Sequence, residues 1–368
     1  MTAIDVVALA QSLVRIDTSG PEAREEPAVT FLARLLSEAG FKVETHAFAP
    51  GRPSLLARLH AGQGLPLVLS GHLDTVPVGE TAWQRLPFGA ELDDRFLHGR
   101  GSADMKGGVA ALVAAAIDVA RSGIAAQPIA LVLTAGEEIG CLGAIHLTRL
   151  GVLPRAAGVL VAEPTGNRLA VGHRGALWLQ ANYAGRSAHG STPHLGHNAI
   201  YDAAEGIQRC RGLRFTDHDP LLGTVSLNVG TVSGGLNINS VPDRAGFTID
   251  IRSVVPGSHS WLRDAVAACL AGEANIQTII DLPAVRANLS DPFVTRVARA
   301  TLDQTAHEEV GTVPFFTDAS ILGETCTATS VILGPGEPDM AHQTNERCAV
   351  DQIRNAAEVY TRLMAADA

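Results

Sequence analysis

Apolar and polar residues along the first 170 or so positions fall into two alternating kinds of segment. Short apolar runs such as 129–136 are typical of buried strands. Segments with helical spacing that end at a glycine, such as the Ala-rich 107–123, predict helices. This alternation predicts a largely parallel sheet with helices on its faces. The predicted strands here are 41–48, 53–60, 65–72, 129–136 and 156–164, and the predicted helices are 28–39, 107–123 and 143–151.

The pattern changes after about residue 174, where apolar residues recur at every second position. Such alternation predicts antiparallel strands over 175–185, 223–235 and 244–254, accompanied by helices over 198–210 and 258–271. The first pattern returns near residue 283 with a predicted helix over 291–305 and a predicted strand over 328–336. We therefore expect an α/β fold, with a mixed, mostly parallel sheet sandwiched by helices. Residues 1–174 and 284–368 would form this domain, and 175–283 an inserted α+β domain.

The composition of the chain argues against several classes of function. The chain has 368 residues, a net charge of −10, and 46% hydrophobic and 18% charged residues. The acidic balance argues against a nucleic-acid partner, because phosphate binding needs clustered Lys and Arg. No apolar run approaches the roughly 20 residues that span a membrane, and the first residues do not form a signal-peptide pattern. The five cysteines form no CxxC pair, which predicts reduced thiols, a cytoplasmic location and metal ligands other than Cys.

Acidic and imidazole side chains follow several of the predicted strands, and the carboxyl ends of strands are where α/β sheets bind ligands. Any one of them alone is more often a surface or hydrogen-bonded residue than a ligand. Together, two His with three or four of these carboxylates suit Zn²⁺, Mn²⁺ or Co²⁺, and are sufficient for a two-metal site. The residues are His72, Asp74, Glu137, Glu138, Glu163 and His342, with Asp104 ahead of the Ala-rich helix. Asp74, two positions after His72, could hold the far imidazole N–H.

An ordered set of motifs covers nearly the whole chain. They are "SGHLDTVPVG", "WQRLPFGAELDDRFLHGRGSADMKGGVAA", "TAGEEIGCLGA", "VAEPT", "GRSAHGSTPHLGHNAI" and "AHQTNE". Together they resemble the acetylornithine deacetylase / succinyl-diaminopimelate desuccinylase / carboxypeptidase G2 family of co-catalytic zinc metallopeptidases. Departures from the family pattern at Asp94 and Gly136 touch no expected ligand.

The resemblance implies a role for each strand-end residue. Asp104 would bridge two metal ions, most often Zn²⁺. One ion would also be bound by His72 and Glu163, and the other by Glu138 and His342. The resemblance makes Glu137 the general acid/base and Asp74 the residue that orients His72.

The resemblance also assigns residues of the inserted domain, which in this family acts as a lid and carries dimer contacts. His189 would polarise the scissile carbonyl, in its own subunit or across a homodimer. His194 and His197 lie close by and are rivals for this role. Asn239 and Arg252 match positions that bind the substrate, including its carboxylate, and loop 334–336 loosely matches a substrate-pocket loop.

The expected activity is therefore hydrolysis of an N-acyl amino acid or a short peptide beside a free carboxylate. Glu137 would accept a proton from the attacking water and pass it to the leaving amine. The choice between deacetylase, desuccinylase and carboxypeptidase stays open. A non-catalytic relative is disfavoured because the ligands and Glu137 are all present. A phosphatase is disfavoured because no basic cluster surrounds the ligands.

Overall fold

A computed structural model describes residues 3–20, 22–301 and 310–365. The chain forms two compact units. The first comprises Met1–Gly172, Ala287–Val313 and Thr317–Ala368, and the second comprises His173–Arg286 and Pro314–Phe316. The sequence pattern placed the corresponding boundaries after residues 174 and 283.

The first unit contains helices and strands in alternation. Its helices are α1 (Val6–Val14), α2 (Glu26–Glu38), α3 (Lys106–Ser122), α4 (Leu142–Leu150), α7 (Pro292–Thr301), α8 (Ala319–Thr325) and α9 (Val350–Met364). Its strands are β1 (Lys42–Ala47), β2 (Pro53–Leu59), β3 (Leu67–His72), β4 (Phe96–His98), β5 (Ile129–Thr134), β6 (Gly158–Val161), β7 (Ala170–His173), β15 (Gly311–Val313), β16 (Ser330–Ile332) and β17 (Arg347–Ala349). Residues 302–305 of the predicted helix 291–305 lie outside the described part of the chain.

The main sheet of this unit has the strand order β1-β2-β5-β3-β6-β16-β7, with β15 also paired to β7. Strand β3 pairs in parallel with both β5 and β6, and β16 pairs in parallel with β6. The pairs β1–β2, β2–β5 and β16–β7 are antiparallel. The four central strands β5, β3, β6 and β16 are thus all parallel. The predicted α/β class, with a mixed sheet that is mostly parallel at its centre and flanked by helices, is confirmed.

Helix α3 packs unusually close to the sheet. Most of its residues are buried, and it contacts α1, α9 and β3. At Gly108 an added Cβ would lie 2.3 Å from the Ala162 carbonyl oxygen, so only glycine permits this approach. The close packing brings the loop before α3 next to the chain that leaves β6.

The second unit is built on a four-stranded antiparallel sheet with the order β11-β12-β8-β13. Helix α5 packs on three of these strands and also contacts α6. A separate apolar core that includes Leu177, Phe247 and Leu262 lies between them. The elements are β8 (Ala176–Ala184), α5 (Ala199–Gly212), β9 (His218–Asp219), β10 (Gly223–Thr224), β11 (Ser226–Gly234), β12 (Arg244–Arg252), α6 (His259–Cys269), β13 (Asn275–Leu282) and β14 (Val285–Arg286).

Within the described residues, no helix has the length and apolar character needed to cross a membrane.

Candidate metal centre

Three neighbouring parallel strands deliver the central side chains of the site. His72 is the last residue of β3, Glu137 and Glu138 follow the end of β5, and Glu163 follows the end of β6. Because β3 pairs in parallel with both β5 and β6, the three carboxyl ends meet at one edge of the sheet. Asp104 reaches this edge from the loop before α3.

The first cluster of ligand-type atoms comprises His72, Asp104 and Glu163, whose candidate atoms all lie within 4.8 Å of one another. The His72 Nε2 atom is 3.0 Å from Asp104 Oδ1 and 3.7 Å from Glu163 Oε1. All three residues are buried.

The second cluster comprises Asp104, Glu138 and His342, again with candidate atoms within 4.8 Å. The His342 Nε2 atom lies 3.0 Å from Glu138 Oε2 and 3.4 Å from Asp104 Oδ2. Asp104 therefore offers one carboxylate oxygen to each cluster. His342 comes from the long loop between β16 and β17, and its side chain is 55% exposed, so this cluster is open to solvent.

Both clusters fit divalent cations. Each offers one imidazole nitrogen with two carboxylates, a donor set that suits borderline dications such as Zn²⁺. The Oε1 atom of Glu138 is buried, and the described residues supply it with no hydrogen-bond partner. A buried carboxylate oxygen without a partner is costly, and a cation would satisfy it.

Glu137 belongs to neither cluster, although it follows the same strand. Its side chain is buried and its Oε1 lies 3.9 Å from the Cys141 thiol. Burial, and then the charge of Glu163, raise the pKa of Glu137 well above its ordinary value. A carboxyl group with a raised pKa beside a metal site is suited to carry a proton at neutral pH.

The clustered charges also shift the pKa values of the ligand-type residues. Burial raises the pKa of Glu163 to about 8, against the opposing effect of His72. Hydrogen bonds to Asp104 and Glu138 raise the pKa of His342 to about 10. Burial opposes ionisation of Asp104, but the bonds from His342 and His72 outweigh it and lower the pKa of Asp104. The positive charge of the imidazoles and the negative charge of the carboxylates thus stabilise each other in these clusters.

Asp74 connects the paired glutamates to His72. Its backbone carbonyl accepts the Nδ1–H of His72 at 2.9 Å, so in the neutral imidazole Nε2 is unprotonated and directed at the first cluster. Its carboxylate accepts the backbone N–H groups of Glu137 and Glu138, both at 3.1 Å. The sequence analysis expected the Asp74 carboxylate to accept the N–H of the His72 imidazole. Asp74 Oδ1 instead lies 3.7 Å from His72 Nδ1, beyond hydrogen-bond distance.

The second unit carries His189 and Asn239 side by side. The Gly190 N–H donates to the Asn239 carbonyl at 2.8 Å. The Ser191 N–H donates to His189 Nδ1 at 3.2 Å, which places the ring proton on Nε2 in the neutral imidazole. His189 and Asn239 are both exposed. His194 is exposed too, whereas His197 Nε2 pairs with Asp202 Oδ2 at 2.6 Å.

Arg252 lies at the other end of strand β12 from the Asn239 loop. Its Nε is 2.9 Å from Asp250 Oδ1, and its guanidinium lies over the Trp178 ring at 5.8 Å. The strand runs from Arg244 to Arg252, which at about 3.3 Å per residue is roughly 26 Å. Within one unit, therefore, Arg252 is remote from His189 and Asn239.

The loop 334–336 lies beside the chain that carries Glu163. The Gly334 carbonyl accepts the N–H groups of Thr165 and Asn167 at 3.2 and 2.8 Å. An added Cβ at Gly334 would lie 2.2 Å from the Ala162 carbonyl oxygen. The loop is buried and braces the Glu163 segment.

Sequence reasoning gave no role to two buried acids at this edge of the sheet. Asp318 accepts the Thr134 hydroxyl at 2.5 Å, beneath the Glu137 segment. Glu346 is paired with Arg100, a second fully buried charge. Burial raises the pKa of Glu346, while Arg100 and backbone N–H groups favour its ionised form. The signal for Glu346 was its place as the last residue of the motif "AHQTNE", whereas Asp318 only follows a threonine in a loop that has no regular pattern.

Comparison with known proteins identifies the family of the chain. Residues 68–366 match the model of peptidase family M20/M25/M40. A succinyl-diaminopimelate desuccinylase of Acidiphilium cryptum is 30% identical over 386 residues, 99% of each chain. An acetylornithine deacetylase of Vibrio campbellii is 31% identical over 350 residues, 90% of this chain and 89% of that one.

Among solved structures, a dinuclear metal-binding peptidase of the M20 family from Bacillus subtilis is similar with a TM-score of 0.71 and 15% identity. The similarity covers 98% of this chain and 96% of that one. The chain thus belongs to peptidase family M20/M25/M40, which confirms the predicted family and the predicted enzyme class, a metal-dependent amidohydrolase.

Proposed function

We propose that this enzyme hydrolyses the amide bond of an N-acyl amino acid, as in deacetylation of an acetylornithine-like substrate, or of a short peptide with a free carboxylate. The observation that carries the proposal is the pair of ligand clusters that share Asp104, with Glu137 beside them and in neither.

Two divalent cations fit the clusters, and we propose Zn²⁺, with Co²⁺ or Mn²⁺ as alternatives. His72, Asp104 and Glu163 would hold one ion, and Asp104, Glu138 and His342 the other. The dinuclear metal-binding M20 peptidase of similar fold supports the number of ions. When bound, such ions supply Lewis-acid polarisation of the attacking water and of the scissile carbonyl.

Glu137 is the proposed general acid/base. Its carboxylate would accept a proton from the attacking water and deliver it to the nitrogen of the leaving amine. The hydrogen bonds from the Glu137 and Glu138 N–H groups to Asp74 hold this part of the chain in place. Glu138 would thereby be directed to a cation while Glu137 remains free for the proton.

The inserted unit would bind the substrate. The Nε2–H of His189 is available to donate to the oxyanion that develops on the carbonyl, and such a donor contributes about 3–4 kcal/mol. Arg252 would bind the substrate carboxylate with its two parallel N–H groups, and Asn239 would supply a further polar contact.

We further propose that the enzyme is a cytoplasmic homodimer. The strand length of roughly 26 Å between Arg252 and the Asn239 loop supports a dimer, because one small substrate cannot reach both groups of a single unit. One subunit would then supply His189 and Asn239 to a site that uses its partner's metal cluster. Five free cysteines, four of them buried, support a reducing compartment.

The acyl group distinguishes the candidate activities. The relatives named acetylornithine deacetylase and succinyl-diaminopimelate desuccinylase favour N-acetyl or N-succinyl amino acids, and a glutamate-carboxypeptidase-like activity is the alternative. Purified enzyme would be stripped of metal, reloaded with Zn²⁺, Co²⁺ or Mn²⁺, and assayed for amine release on N-acetyl, N-succinyl and dipeptide substrates. We expect metal-dependent turnover of one class. Metal binding without turnover of any substrate would instead indicate a non-catalytic relative.

A further inference from the structure

The fully buried carboxylate of Glu346 is bonded to the loop that carries Asp104. Its Oε1 accepts the N–H groups of Ala103 and Asp104 at 2.8 and 3.0 Å. Its Oε2 accepts the N–H of Gly101 at 3.0 Å and Arg100 Nη1 at 2.7 Å. The carboxylate is therefore directed at one short loop, and one of its bonds is made to the shared ligand residue itself.

The main chain of Glu346 is attached to the same loop. The Gly99 N–H donates to the Glu346 carbonyl at 3.0 Å, and the next residues form β17, which pairs with β4. Arg100 is also held, since it donates to the Pro77 carbonyl at 3.2 Å and lies over the Trp83 ring at 5.1 Å. Neither Glu346 nor Arg100 can move without the loss of several buried hydrogen bonds.

Glu346 also ends the loop that presents His342, four residues earlier. His342 and Asn345 have φ angles of 63° and 64°, a left-handed conformation that non-glycine residues adopt only when surrounding contacts hold it. One such contact is the Gln84 N–H, which donates to Asn345 Oδ1 at 2.7 Å. The attachment of Glu346 at the end of this loop is another.

We propose that Glu346 is a positioning residue that keeps Asp104 and His342 at the spacing required for the second cation, without binding the ion itself. This inference rests on the proposed two-metal function. Its physical basis is that a carboxylate alone offers acceptors to four converging donors. The amide of Gln has one acceptor oxygen. In either orientation its NH₂ group would therefore face N–H donors of this loop, on the Arg100 and Gly101 side or on the Ala103 and Asp104 side, and would displace the loop.

A buried ion pair elsewhere in the same unit provides the matched control. Glu25 is also fully buried and pairs with Arg52, whose Nε lies 3.0 and 3.1 Å from the two carboxylate oxygens. Glu25 bonds to none of the proposed ligand residues in the described structure. Glu25→Gln therefore disrupts a buried Glu–Arg pair that makes no hydrogen bond to the loop carrying Asp104.

The test is a Co²⁺ titration of metal-free protein, followed by visible absorption and by equilibrium dialysis with elemental analysis. The parent should bind two ions. Glu346→Gln should weaken binding of the second ion about 10-fold or more, the usual range for residues that support metal ligands. The first ion shares only Asp104 with the second and should be weakened less. Glu25→Gln should lower the thermal midpoint yet bind both ions as the parent does. Should Glu346→Gln not fold, Glu346→Asp retains the charge opposite Arg100 but is too short to reach Asp104, and the same loss is expected.

A double-mutant cycle with His342→Ala identifies the affected cation. If Glu346 acts through Asp104 and His342, Glu346→Gln should cost much less Co²⁺ affinity in the His342→Ala background than in the parent. Equal costs in both backgrounds, or parent-like Co²⁺ binding by Glu346→Gln, would overturn the inference. A parent protein that fails to bind two ions would instead refute the proposed function.

Discussion

Replacement of Glu137 by Gln separates proton transfer from metal binding. Gln has the same shape as Glu. Glu137 is 4% exposed and belongs to neither ligand cluster, so the variant should fold and bind metal as the parent does. It cannot accept a proton at neutral pH. We expect kcat to fall about 100- to 10,000-fold, which corresponds to about 3–5 kcal/mol of transition-state stabilisation.

The stability of the metal-free protein provides a second measurement. Because burial and Glu163 raise the pKa of Glu137, its charged form is unfavourable in the fold. A neutral Gln removes this cost, so the thermal midpoint of the metal-free variant should equal or exceed that of the parent.

The assay compares kcat on the best substrate of the panel, metal content by elemental analysis, and thermal unfolding. Glu26→Gln, an exposed position in the first turn of α2, makes the same chemical change away from the site and should match the parent in all three. Parent-like turnover by Glu137→Gln would refute the general-base assignment. Loss of bound metal together with turnover would show that Glu137 is a ligand.

Three further predictions follow from the site and from a buried histidine. His72→Ala should reduce the bound metal of the purified enzyme by elemental analysis, and a full complement of two ions would contradict its ligand role. Asp74→Asn should keep the hydrogen bond from His72 to the backbone carbonyl but lose one charge-assisted bond from the N–H of Glu137 or Glu138. Because such a bond contributes about 1.5–3 kcal/mol, kcat should fall about 10- to 100-fold. Unchanged kinetics would contradict this positioning role of Asp74. Burial lowers the pKa of His173 from 6.5 to about 4. Between these values the unfolded chain binds a proton that the folded chain does not, so stability should fall by up to about 3 kcal/mol as pH drops through this window. Denaturant titrations of His173→Gln should show a shallower pH dependence than the parent, and identical slopes would refute the reasoning.

Local patterns were sufficient for the elements that matter most to the site. Strands β3, β5 and β6 are buried along their whole length and each contains a short apolar run, so each is recognisable without its neighbours. Strand β13 was not predicted, because most of its residues are exposed and its apolar residues do not alternate regularly. The three-residue strands β4 and β17 are too short to carry any period.

The sequence by itself determined which residues stand at the strand ends. His72, Glu137, Glu138 and Glu163 each follow an apolar run, and parallel pairing of adjacent strands places such residues at one edge. Their chemistry, and the order of the motifs, were enough to predict a two-metal hydrolase. This information is local, because a strand's period and its flanking residues lie within a few positions of one another.

Only the tertiary structure decided how the loops complete the site. The contact of His342 with Glu138 joins residues 204 positions apart, and that of Glu346 with the Asp104 N–H joins residues 242 positions apart. The carboxylate of Asp74 accepts from the paired glutamates across 63 and 64 positions, a partnership its spacing to His72 did not suggest. Loops have no periodicity that encodes their partners, so such contacts arise only once the packed sheet and helices bring the loop ends together.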